Sequence, residues 1–449
     1  MKIQPPSAGP AGPRRTSLTA GVAPREVWSW ACYDFANSGY TTVVVTAVFN
    51  AYFVAVVAQR APWATLAWTT ALGVSYALVM VAGPIVGAYA DARAAKKRLL
   101  GWTTAGCVAG TAALAWVGPG DVALGMALVM LSNLCFSLGE NLIAAFLPEL
   151  AKGTALGRVS AWGWGLGYLG GLGSLAASLV YMNWKGGEAA DFVPGAMVIT
   201  ALLFAVASLP TFAWLKERAT PVRAPGAGEV FRRLADTLRH VRRHRDLARF
   251  LACIACYQAG VQAVVALAAI YAQEAMHFDT RQTLLMIVAV NVTAAAGALL
   301  FGYVQDRLGH RPTLALTLVA WIVTVLLAWS AQGPGLFWVA AHLAGLSLGA
   351  SQSAGRALVG YLSPAARRAE CFGLWGFAVK LASLLGPMTY GLATWFSGGD
   401  HRMAFLVTGI YFVAGLVILA GVDVRRGRKA ALRADAAGAS RRGWAAPAG

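Results

Sequence analysis

The sequence predicts an all-α membrane protein with twelve transmembrane helices arranged as two six-helix bundles. Three observations predict it. The 449 residues are 58% hydrophobic and only 12% charged, whereas soluble domains carry about 25% charged residues. A soluble enzyme, a disordered chain and a disulfide scaffold are thereby excluded together. Apolar runs of about 20 residues, the length that crosses a bilayer, recur along the chain in two sets of six, separated by one long polar stretch. The basic residues fall almost entirely on alternate connections, as the positive-inside rule demands.

The first six spans are predicted near 27–57, 65–90, 98–117, 122–147, 159–182 and 192–215. The second six are predicted near 247–273, 282–305, 312–331, 335–358, 370–396 and 403–423. Residues 1–26 form a polar, Pro-rich N-terminal tail, and no small-residue cleavage site follows the first run, so span 1 is expected to stay as an anchor. The expected organisation is a tail at 1–26, a bundle at 27–215, a linker at 216–246, a second bundle at 247–424 and a basic tail at 425–449. With both termini in the cytoplasm, all but five of the 37 Lys and Arg residues face that side. Arg60, Lys185, Arg281 and Arg402 lie opposite, and Lys380 lies inside span 11. The net charge of +18 is thus a topology signal and not a nucleic-acid footprint. The expected setting is a bacterial cytoplasmic (inner) membrane, with the lipid bilayer as the one obligatory partner and the monomer as the working unit.

Within the linker, Phe231, Leu234, Leu238 and Val241 recur at helical spacing among arginines, the pattern of an amphipathic helix lying on the cytoplasmic leaflet. The six cysteines (Cys32, Cys107, Cys135, Cys253, Cys256 and Cys371) fall in apolar runs or at their edges and read as small hydrophobes. Trp28, Trp30, Trp63, Trp68, Trp184 and Trp338 stand at span ends, where interfacial belts are expected.

The two halves echo each other. Gly87-x-x-x-Asp91 after span 2 returns as Gly302-x-x-x-Asp306 after span 8. Trp162-Gly163 returns as Trp375-Gly376. Ala31-Cys-Tyr33-Asp34 returns as Ala255-Cys-Tyr257-Gln258. Six is an even number of crossings, so both copies share one orientation, as in the parallel repeat of the major facilitator fold. The second copy reads Gly302-Tyr-Val-Gln-Asp306-Arg307-Leu-Gly309-His-Arg311 and closely resembles the G-x-x-x-D-R-x-G-x-R loop of that superfamily. Here a Gly lets two helices approach, and an Asp can cap a neighbouring helix N-terminus and pair with an Arg. Gly87, Asp91, Gly302, Asp306, Arg307 and Arg311 are therefore expected to form a conformational clamp. The first copy keeps Gly87 and Asp91 but places its basic residue, Arg93, differently.

A narrower resemblance rests on Trp30-Ala-Cys-Tyr33-Asp34-Phe35-Ala36-Asn37-Ser38 in span 1 and Ala145-Phe-Leu-Pro148-Glu149-Leu150 after span 4. It also rests on Gln352-Ser-Ala-Gly-Arg356, Glu370-Cys-Phe372-Gly373, Lys380 and Gly386-Pro387. This set resembles the autophagy-related vacuolar amino-acid effluxer family and its bacterial relatives. Gly355 and Cys371 depart from the family pattern. The resemblance implies secondary transport of a small-molecule substrate, export of small neutral amino acids above all.

A charge held at the centre of a span costs roughly 2.5–3.5 kcal/mol on insertion scales, so each one needs a reason. Asp34 and Asn37 share a face of span 1; Glu140 and Asn141 lie in span 4. Gln258 and Gln262 share a face of span 7; Gln352 and Arg356 share one of span 10. Lys380 lies near the midplane of span 11. Spans 1, 4, 7 and 10 border the central cavity in the major facilitator fold, and four of these five groups fall there; together with Lys380 of span 11 these nine residues are the candidates for substrate binding or coupling, with protons as a candidate coupling ion. They also read as polar pairs that lock helices together, and Arg356 as a cation that snorkels to the surface. No P-loop, no H-E-x-x-H and no His cluster occurs, so neither direct ATP use, nor an enzyme, nor a cofactor is expected. A non-transporting sensor or scaffold with the same fold, or a carrier of an unrelated solute or drug, is the alternative that the sequence leaves open.

Overall fold

A computed structural model describes residues 18–153, 155–218, 245–278 and 280–443. The amphipathic helix expected in the linker falls at 219–244, outside the described residues. Among the described residues, eleven helices are long and apolar enough to cross a membrane. The N-terminal bundle contains α1 (Pro24–Val57), α2 (Ala64–Arg93), α3 (Lys96–Trp116), α4 (Val122–Leu150), α5 (Ala155–Lys185) and α6 (Ala189–Trp214). The C-terminal bundle contains α7 (Arg245–Glu274), α8 (Thr280–Leu308), α9 (His310–Ser330), α10 (Pro334–Leu362), α11 (Arg368–Phe396) and α12 (His401–Ala420). The helix outside the eleven is α10. It is as long as the others, but His342, Ser347, Ser351, Gln352, Ser353 and Arg356 dilute its apolar character. That dilution is itself a clue, because a polar span must turn its polar side away from lipid.

Both described chain ends lie on one face. Thr19 N donates to Leu150 O (2.9 Å) at the α4–α5 turn, and Arg218, just past α6, donates to Gly21 O (3.2 Å). The C-terminal tail is helical, α13 (Val424–Gly443). Asp246, at the start of α7, accepts two hydrogen bonds from Arg426 (2.8 and 2.7 Å). Asp435 accepts from Ala365 N (2.7 Å) in the α10–α11 turn. Arg428 donates to Tyr361 O (3.0 Å) and lies over the Tyr361 ring.

Helix α1 is irregular. From Thr41 to Ala47 and again from Phe53 to Val57 it opens into π-type turns, a wider coil that often marks functional sites. Its inner half packs on the Gly-rich stretch of α5. A Cβ at Gly170 would run into the Phe35 carbonyl, so the two backbones touch there. The tryptophan expectation needs correction. Trp63 and Trp184 are exposed, as belt residues are, but Trp30 and Trp68 are buried. Trp30 donates its indole N–H to Ile143 O (2.8 Å), and Trp68 packs against Phe49 and Phe53. Each serves a helix–helix contact rather than the lipid boundary.

Candidate functional site

The two bundles meet along two seams at the tail-bearing face, α2 against α11 and α5 against α8. In the first seam, a Cβ at Gly87 would strike the Ala369 carbonyl. Asp91 Oδ2 accepts from Glu370 N (2.9 Å), capping the first turn of α11 across the bundle boundary. Lys96 and Arg368 lie within electrostatic reach of Asp91. Arg93 turns aside to hydrogen-bond Tyr89 Oη (2.8 Å) on its own helix. In the second seam, a Cβ at Gly302 would meet the Ala161 methyl, and Asp306 pairs with Arg158 of α5 (3.3 Å). The arginine of this contact thus comes from the opposite bundle. Arg307 is exposed, and Arg311 donates to Ala420 O (2.8 Å) at the end of α12, within its own bundle. The sequence pattern located the Gly and Asp positions, but Arg158 carried no motif.

Beside these seams sits an ion pair that sequence reasoning missed. Lys96 Nζ and Glu149 Oε1 form a buried salt bridge between α3 and the end of α4, and Glu149 Oε2 accepts from Arg218 N (2.9 Å). Arg218 also pairs with Glu26 (2.8 Å). Glu149 belongs to the Leu-Pro-Glu-Leu run, whose Pro148 packs against Gly360 of α10.

Deeper between the bundles the predicted polar residues come together. Arg356 does not snorkel; it is 3% exposed. Its Nη1 donates to Asp34 Oδ2 (2.6 Å), its Nε to Ser160 Oγ (3.1 Å) and its Nη2 to Ser160 O (2.8 Å). The guanidinium lies over the rings of Trp30 (4.8 Å) and Trp164 (5.3 Å), an arrangement that favours a desolvated cation. Ser160 in turn donates Oγ–H to Ser353 O (2.9 Å). A helix of the C-terminal bundle is therefore tied to α1 and α5 of the N-terminal one. Gly163 makes room for this: a Cβ there would collide with Asp34 Oδ2 and lie 2.6 Å from Arg356 Nη2.

Lys380 of α11 faces Glu140 of α4 at 4.0 Å, a looser pair. Its ammonium lies over Tyr76 (5.0 Å) and Phe136 (5.7 Å). Glu140 also feels the charges of Asp34 and Arg356, so the four ionisable residues form one electrostatically neutral cluster drawn from α1, α4, α10 and α11. Gln258 Nε2 donates to Gln352 Oε1 (2.6 Å), joining α7 to α10. Gln262 is half-buried. Asn37 Oδ1, Asn141 Nδ2, Trp164 Nε1 and Gln258 Oε1 are buried without a hydrogen-bond partner among the described residues. Asn141 is wedged against Gly376, the repeat counterpart of Gly163. Ser160, Trp30, Trp164, Tyr76 and Phe136 were absent from the sequence-based set. The signal that could have found Ser160 is its spacing of three from Gly163 on α5.

Comparison with known proteins agrees with this architecture. A family described as "Vacuole effluxer Atg22 like" matches residues 66–157 and 154–432. The uncharacterized MFS-type transporter YxiO of Bacillus subtilis is 27% identical over 88% of this chain and 94% of its own length. Autophagy-related protein 22 of Yarrowia lipolytica is 22% identical over 68% of this chain, which spans 57% of that relative. Among solved structures, the major facilitator transporter FucP superposes with a TM-score of 0.71 at 11% identity, over 89% of this chain and 98% of that one. The fold, with its polar cluster between paired bundles, is that of a major facilitator superfamily transporter, a carrier and not an enzyme. Within that superfamily the chain belongs to the Vacuole effluxer Atg22 like family.

Proposed function

We propose that this transporter exports small zwitterionic metabolites, amino acids foremost, from the cytoplasm by alternating access, with protons as the coupling ion. The observation that carries the reading is the Lys380–Glu140 pair. The two charges come from opposite bundles, stand 4.0 Å apart and, among the described residues, are not locked by further direct hydrogen bonds of the kind that hold Arg356. An incoming α-carboxylate can take Lys380 while the α-ammonium takes Glu140. The exchange leaves the cluster neutral, and bound substrate then bridges the bundles. The tail-bearing face is the cytoplasmic one in this reading, because it collects the arginines and lysines. The contacts at Gly87, Asp91, Gly302, Asp306 and Arg158 act as the clamp that holds this face shut and must part in each cycle. The test is counterflow in proteoliposomes with a mixture of ¹⁴C-labelled L-amino acids. Trans-accumulation is expected in the wild type and its loss in Lys380→Ala. Absence of counterflow with every amino acid in wild-type vesicles would overturn the substrate assignment.

A further inference from the structure

We infer that the Asp34–Arg356–Ser160 contact is a proton-released latch: the bundles stay closed at the cytoplasmic face while Asp34 is ionised, and a proton taken up by Asp34 lets Arg356 go. The inference deepens the proposed transport cycle and rests on it only for the direction of proton flow. It begins from the contrast between the two ion pairs. Lys380 and Glu140 meet loosely and suit an exchangeable ligand. Arg356 is instead committed to the opposite bundle through three hydrogen bonds, one to Asp34 and two to Ser160, and two indole faces cover it.

Separation of α10 from α5 breaks all three bonds at once, because Ser160, Asp34, Trp30 and Trp164 all belong to the N-terminal bundle. Arg356 leaves with its charge, since a guanidinium does not deprotonate. Asp34 stays behind among Trp30, Gly163 and the α5 backbone, where an unpaired carboxylate is costly. The cost disappears if the carboxylate leaves as the neutral acid. One proton, bound to Asp34 before separation and released to the cytoplasm after it, satisfies the charge balance, and Arg356 is free to re-form the pair on return. One proton then moves inward for each opening of the cytoplasmic face, the sense required of an exporter driven by the proton gradient.

The groups around Asp34 are compatible with this. From α10 comes Arg356, and from α4 comes Glu140 with Lys380 of α11 behind it. Tyr33 on α1 and Tyr168 on α5 complete the titratable set facing the pair. From α6 come uncharged contacts such as Thr211 to Ser29 O; its own acid, Asp191, sits at the opposite end of the helix. Ser160 is the positioning residue: it touches no substrate in this scheme but fixes the guanidinium that Asp34 needs.

The experiment requires no substrate. In a background lacking the six native cysteines, spin labels are placed at Lys152 and Leu308, exposed positions on the tail-bearing face of opposite bundles, and their distance is measured by electron double resonance in lipid nanodiscs from pH 8 to pH 5. The wild-type background is expected to gain a longer-distance population as the pH falls. Asp34→Asn should show that population at every pH. Ser160→Ala should keep the pH response but shift its midpoint upward, by up to about one pH unit, because less acid is then needed to release Arg356. A distance distribution that ignores pH in the wild-type background overturns the latch, as does an Asp34→Asn response identical to wild type. Should Asp34→Asn fail to fold, the Ser160→Ala midpoint decides: an unchanged midpoint means that the Ser160 hydroxyl does not hold Arg356 for Asp34, which overturns the latch as drawn. Failure of amino-acid counterflow alongside a normal pH-driven opening would sink only the substrate reading.

Discussion

The seam between α2 and α11 supplies the sharpest test of how the tail-bearing face is held closed. A Cβ added at Gly373 would lie 2.6 Å from Gly83 O, 2.7 Å from Gly83 C and 2.8 Å from Pro84 Cα. Ordinary contact begins at 3.4 Å, so the two helices must part by about 0.8 Å (3.4 minus 2.6). All three atoms are backbone, and no side chain can rotate away. Overpacking of this kind costs about 1–3 kcal/mol. Because the contact exists only while the bundles are together, the cost falls on the closed state. At about 1.4 kcal/mol per tenfold, Gly373→Ala should raise the open-to-closed ratio about 5- to 150-fold. The Lys152–Leu308 label pair reads this ratio directly at constant pH. Gly73→Ala on α2 is the control, since nothing lies within 4 Å of a Cβ there, and it should leave the ratio unchanged. An unaltered ratio in Gly373→Ala, or equal shifts in both variants, would refute the claim that backbone contact at this seam sets the equilibrium.

Other outcomes follow from the same geometry. Lys380→Ala is expected to abolish transport while the protein inserts and purifies normally; if it fails to express and Lys380→Ala/Glu140→Ala recovers expression without activity, the pair is structural. Glu149→Ala leaves Lys96 buried without its carboxylate, which should lower stability by about 3–5 kcal/mol, read as a fall in thermal midpoint in detergent. Lys96→Met/Glu149→Leu should recover most of that loss; no recovery would mean that Glu149 acts chiefly through Arg218. Asp246→Ala removes the acceptor of Arg426 and should free α13, read as faster proteolysis after Arg433 with the transmembrane core intact. Cysteines introduced near Gly120 and Gly399 should react with an impermeant reagent added outside whole cells, and one near Gly228 should not.

The architecture was legible because membrane insertion writes it into composition. Apolar length marks each crossing, and the Lys/Arg bias orders the turns, so all twelve spans could be placed from the sequence, α10 among them near 335–358, although it stands outside the eleven. Its polar residues hide it from a hydropathy criterion and identify it as a site helix for the same reason. Individual site residues were legible wherever a charge stood inside a span: Asp34, Glu140, Arg356 and Lys380 were all visible as anomalies. A buried Lys380 needs an acid, and Glu140 and Asp34 were the two available, but the choice of Glu140 for Lys380 and Asp34 for Arg356 was not legible. Nothing in the order of the chain says that Arg356 reaches Asp34, 322 positions away, rather than the surface, or that Asp306 finds Arg158 instead of its neighbours Arg307 and Arg311. Those choices depend on how two bundles dock, a tertiary property. Trp30 was misassigned for a related reason. Its position near a span end fits the interfacial rule, but an indole N–H with a buried carbonyl acceptor is equally stable inside.

The internal repeat explains why the cluster is divided as it is. Where α1 carries Asp34, the matching position in α7 carries Gln258, and each reaches α10, one to Arg356 and the other to Gln352. The two halves thus share this geometry and differ by one charge. A carboxylate at position 258 would face the neutral Gln352, with no cation as its partner among the described residues. The neutral amide holds α7 to α10 within the C-terminal bundle and asks nothing of the opposite one. The pair that spans the boundary is the charged one, and the pair that stays within a bundle is neutral. In the proposed cycle, the contact that must break is therefore the one whose strength a proton can change.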